Sequence, residues 1–129
     1  PSEFEQIVIR NASRVRTELP AQAHNTGDSG DNAGLKSATI IDLSETGAGL
    51  ATSEALGRSG DMLQLQFKLY VSGGEETLSM MAEICSSTPR EDAKGFVSGI
   101  AFRAMNRFQQ VLLHAWVTRR LLDEAMHVH

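Results

Sequence analysis

A single cysteine, Cys85, stands among 129 residues. No disulfide can form within the chain, so its stability has to come from packing, and a reducing, cytoplasmic setting is expected. One cysteine also makes no zinc motif, and His127 and His129 read as a frayed end. An excess of basic charge is missing as well: 12 Lys and Arg stand against 16 Asp and Glu, a net charge of −4. That argues against a broad nucleic-acid footprint, and no DNA partner is expected, but it leaves room for a small anion held by a few arginines. No apolar run approaches the ~18 residues that span a bilayer, and no signal-peptide pattern opens the chain. No nucleophile elbow surrounds Ser44, and the histidines suggest no converging catalytic set, with His24 in a loop and His114 between two apolar stripes of a helix. The expectation is a binding protein, with neither catalysis nor a cofactor.

What is present is ordinary globular composition, 41% hydrophobic and 22% charged. A chain of this length buries about two-thirds of its unfolded surface in one core. It begins at Pro1 rather than Met, which fits either a piece of something longer or loss of an initiator methionine.

The apolar pattern has period two over most of the chain. "VRTELPAQA" (15–23) reads as a strand, with Val15, Thr17, Leu19 and Ala21 on one face and Pro20 at an edge or bulge. "HNTGDSGDNAG" (24–34) is a long loop. "SATIIDL" and "GAGLAT" flank a turn at 44–46. "MLQLQFKLYV" alternates strictly, with Leu63, Leu65, Phe67, Leu69 and Val71 inward. "SGG" (72–74) turns the chain into "TLSMMAEICSS", with Leu78, Met80, Ala82 and Ile84 inward, and "FVSGIAF" is a last strand. The period then becomes 3.6. Asn106 and Gln109 form a capping box, and Phe108, Val111, Leu112, Ala115, Trp116, Leu122 and Met126 share one side of a helix over about 106–126. Leu113, Val117 and Leu121 form a second seam nearly opposite. One seam can pack on the barrel while the other meets a partner, a second copy or an adjacent domain; scattered exposed leucines are the plain alternative. Some six strands and one helix imply an all-β fold, a six-stranded antiparallel β-barrel plus a C-terminal α-helix.

Two short segments carry chemistry. In "IIDLSETGAG" (40–49), Asp42 lies at a strand end, and alternation places Ser44 on its face. A carboxylate accepts hydrogen bonds and a hydroxyl both donates and accepts. Together they suit the N1–H and amino edge of a guanine, or they simply tie off a turn. In "RNASR" (10–14), Arg10 and Arg14 stand four apart, with Arg16 just behind. Guanidinium forks match phosphate oxygens and guanine, and they stack on purines.

This ordered pair, RxxxR before the first strand and D/NxSxxG after it, resembles the signature of the PilZ domain family. The matching residues are Arg10 and Arg14, then Asp42, Ser44 and Gly47. The resemblance covers most of the chain, and its N-terminal stretch also looks like that of flagellar-brake-type proteins, where such a domain is C-terminal. It implies binding of cyclic di-GMP, a bacterial second messenger. Arg10 and Arg14 would hold phosphate and guanine, Asp42 and Ser44 would contact a guanine edge, and Gly47 would keep the connection tight. Arg16 and Asn11 are possible additions, Asn11 standing where many members carry arginine. Residues 1–14 are expected to be a flexible switch that orders on binding and passes the signal to a protein partner or adjacent domain, while 15–129 form the barrel and helix. The alternative is a PilZ-like protein-interaction module that binds no nucleotide.

Overall fold

The computed structural model describes residues 14–26, 34–91 and 94–126. Six strands follow one another: β1 (Val15–Asn25), β2 (Lys36–Leu43), β3 (Gly47–Thr52), β4 (Met62–Val71), β5 (Gly74–Pro89) and β6 (Phe96–Arg103). A helix, α1 (Arg107–Met126), comes last. The strands close into a barrel in the order β1-β2-β3-β6-β5-β4, each neighbouring pair antiparallel. The architecture read from the alternation is therefore the one observed.

Alternation drives closure. Leu63, Leu65, Phe67 and Leu69 of β4 are buried beside Leu78, Met80, Ala82 and Ile84 of β5. Each such side chain contributes roughly 1.5–3 kcal/mol on leaving water. The turn between these strands is Ser72–Gly73, with φ of 53° and 78°. Positive φ at both positions makes it a type I′ turn, whose twist matches that of the strands it joins. Pro20 lies just past an irregularity in β1 and just before pairing with β4 begins at Ala21. Paired with Thr39 of β2 but not yet with β4, it has one unpaired edge, which suits a residue with no N–H to donate.

Pairing of β1 with β4 runs only from Ala21–Phe67 to Asn25–Leu63, so at one end the two strands part. The helix covers this opening. Leu112, Leu113, Trp116 and Val117 are buried there, with Leu19, Val71, Met105 and Leu121 packed around them. Ala104, at φ 56°, turns the chain out of β6. Asn106 Oδ1 accepts from the Gln109 amide at 2.8 Å and Gln109 Oε1 from the Asn106 amide at 3.1 Å, the predicted capping box.

The helix corrects one expectation. Leu113 and Val117, assigned to a possible homodimer seam with Leu121, are 0% and 1% exposed and belong to the core, and Leu121 packs against it. Phe108, Val111, Leu122 and Met126, of the other apolar stripe, are the exposed ones. Apolar residues occupy 108, 111–113 and 115–117, so the first half of α1 is apolar nearly all round and periodicity alone does not set its rotation. Packing against the barrel, at Leu19 of β1 and Val71 of β4, sets it.

Among the described residues, no helix is long and apolar enough to cross a membrane. No group of three or more His, Cys, Asp or Glu that could hold a metal is found among them either.

Candidate functional site

The described residues of the two motifs meet on one rim of the barrel. Arg14 and Asp42, 28 positions apart, form an ion pair with Nη1–Oδ1 at 2.9 Å. The strands make the meeting obligatory. Val15 pairs with Leu43 and Arg16 with Asp42, so Arg16 stands opposite Asp42 in the ladder and Arg14, just before β1, comes within reach of the same carboxylate. Val15 and Leu43 are fully buried, which anchors this register. Arg14 remains 58% exposed, and a pair that open to water is worth about 0–1 kcal/mol. Its significance is orientation: a guanidinium and a carboxylate are held together at the surface.

Ser44 is placed differently from expectation. It does not share an exposed face with Asp42 but is 2% exposed. Its Oγ accepts from the amides of Thr46 and Gly47 and donates to the Gly47 carbonyl. Its own amide donates to Gly47 O at 2.9 Å. The physical reason is that β2 ends at Leu43, so strand alternation no longer governs Ser44. Its hydroxyl is enclosed by the turn it closes, and the irregularity in β2 between Ile40 and Asp42 precedes both Asp42 and Ser44. Ser44 shapes the turn, and Asp42 alone faces outward. Gly47 is required by close packing: a Cβ there would run into the Ile100 carbonyl oxygen. Thr46 O accepts from the Phe102 amide at 2.9 Å, which pins the turn to β6.

The helix braces both halves of this rim. His114 Nδ1 meets Glu45 Oε1, inside the turn, at 3.0 Å. Arg120 Nη2 donates to the Arg16 carbonyl at 3.1 Å while its guanidinium lies 5.2 Å from the Trp116 ring centre. Sequence reading passed over Glu45 and Arg120, because contacts 69 and 104 positions long leave no local signal. Trp116 is core, as its place on an apolar stripe suggested.

Arg10 and Asn11 lie outside the described residues, as does the proposed switch apart from Arg14. The rim is open. A cleft of about 500 Å³ between α1 and the barrel, lined by Leu19, Tyr70, Trp116 and Arg120, contains none of the motif residues. What the rim offers is a charged, forked, hydrogen-bonding surface suited to an anionic ligand with a polar edge.

Comparison with solved structures places the fold. MotI/DgrA, the Bacillus subtilis inhibitor of motility, superposes with a TM-score of 0.73 at 16% identity over 88% of this chain and 51% of its own. The chain thus spans about half the length of that protein. The PilZ domain of Escherichia coli YcgR, solved with c-di-GMP, gives 0.64 at 14% identity over 92% of this chain and 98% of its own. The PilZ domain of CeSA from a cellulose-synthesising bacterium gives 0.51 at 16% identity, covering 89% and 99%. No curated protein matches the chain by sequence. The family model of the PilZ domain does match, over residues 9–119, and this chain belongs to the PilZ domain family.

Proposed function

We propose that this domain is a cyclic di-GMP receptor. The observation carrying the reading is the Arg14–Asp42 pair at 2.9 Å, with Arg16 across from the same carboxylate. Arg14 and Arg10 take the phosphates and stack on guanine, Arg16 and Asn11 add contacts, and Asp42 accepts from a guanine N1–H and amino group. Ser44 and Gly47 serve by holding the turn. The YcgR domain, solved with c-di-GMP, shares the fold, which supports the assignment.

On binding, the segment 1–14 closes over the rim. Arg14 is already oriented by Asp42, so ligand replaces one partner of an existing pair. The helix, touching Glu45 and the Arg16 carbonyl, carries the change to a protein partner or adjacent domain. Charge-assisted contacts are worth about 1.5–3 kcal/mol, so Arg14→Ala is expected to weaken binding roughly ten- to a hundred-fold. Calorimetric titration with cyclic di-GMP measures both. Heat absent from the unmodified protein would leave a pure protein-interaction module, and an unchanged Arg14→Ala affinity would remove that arginine from the site.

A further inference from the structure

Gly49 stands in the middle of β3, between Ala48 and Leu50, which are both fully buried. Its own position therefore points outward, opposite Asp42 on one side and Gly99 on the other. Glycine in a strand interior weakens the strand unless something approaches closely. Its backbone does not call for glycine, since Gly57, Gly60, Gly73 and Gly95 are the positive-φ glycines among the described residues. The neighbour that calls for it is Asp42. A Cβ built on Gly49 would stand 2.7 Å from Asp42 Oδ2 and 3.2 Å from both Cγ and Oδ1. Its three nearest atoms all belong to that one carboxyl group. At Gly47 the obstructing atom is backbone, so the fold itself forbids a side chain. At Gly49 it is the end of a side chain that can swing away.

We infer that Gly49 is a positioning residue for ligand recognition: its bare backbone is the shelf on which the Asp42 carboxylate lies, turned so that Oδ1 meets Arg14. A methyl group there leaves the barrel intact but lifts the carboxylate off β3, taking it out of line with both Arg14 and the guanine edge. This role deepens the receptor reading and rests on it for its consequence in binding, though not for its geometry.

The test is a cycle of Gly49→Ala, Asp42→Ala and the double variant, each titrated with cyclic di-GMP, beside a crystal structure of Gly49→Ala without ligand. Gly49→Ala is expected to weaken binding roughly ten-fold or more, the loss of one charge-assisted contact. The double variant is expected to bind no more weakly than Asp42→Ala alone. Full affinity in Gly49→Ala, or losses that add, overturns the role. In the crystal, a displaced carboxylate with the Arg14–Asp42 distance beyond 4 Å is expected, and an unmoved pair overturns the role. That structural arm judges Gly49 even if the unmodified protein binds no nucleotide, in which case the receptor reading fails separately. If Gly49→Ala does not fold, the double variant, having no carboxylate to displace, is expected to fold; its failure would make Gly49 a purely structural residue.

Discussion

At the scale of single residues, polar groups divide by whether the fold gives them a partner. Ser44 and Ser98 are both buried, at 2% and 0% exposure. Ser44 is surrounded by turn donors and acceptors, whereas Ser98 Oγ has no hydrogen-bond partner among the described residues. A buried hydroxyl with no partner opposes folding. Ser98→Ala is therefore expected to raise stability by about 1 kcal/mol, a gain of a few degrees in a thermal melt. A matching loss would show that the hydroxyl has a partner. Asp61 illustrates the opposite case. The Arg58 amide, then the Asn25 side chain, hydrogen-bond its carboxylate and hold its pKa below 3.8. A depressed pKa in the folded state means the charged form is favoured by folding, so its contribution is complete above the unfolded value and fades as pH falls through the folded one. The stability advantage of the unmodified protein over Asp61→Asn is expected at neutral pH and should close below pH 3.8. Urea unfolding at a series of pH values would show it, and a gap that persists into acid would refute the assignment.

At the scale of elements, the helix is the one whose ends were legible and whose rotation was not. Asn106 and Gln109 announce its start by local chemistry, and the capping box forms as read. Its buried face depends on a packed surface made by strands far away in sequence, Leu19 on β1 and Val71 on β4. The consequence is measurable. Val117→Glu places a charge at a position 1% exposed and is expected to cost more than about 4 kcal/mol. Leu122→Glu, at a position 57% exposed, is expected to change stability by less than about 0.5 kcal/mol. Guanidinium unfolding of the two variants decides it; the reverse order would restore the seam of Leu113, Val117 and Leu121 as the outer face. The strands were easier, because period two is a property of each strand alone. The lapse came at Ser44, where β2 has already ended at Leu43 and the turn, not the alternation, places the side chain.

At the scale of the whole molecule, function follows from closure. Joining β1 to β2 brings Arg14 to Asp42, and joining β2 to β3 brings Asp42 to Gly49. Parting β1 from β4 leaves an end that α1 must cover. In covering it, the helix reaches the motif turn through His114 and the Arg16 backbone through Arg120. The motif-bearing rim and the last element therefore share contacts.

Side-chain period, turn chemistry, the helix cap and the two charged motifs were all present in the linear chain, since each depends on neighbours a few positions away. Which face of α1 is buried, that Arg14 reaches Asp42, and that Gly49 lies against the Asp42 carboxylate could arise only once strands were paired. Register and the irregularity in β2 are collective results of packing across the barrel, and no stretch of sequence carries them alone.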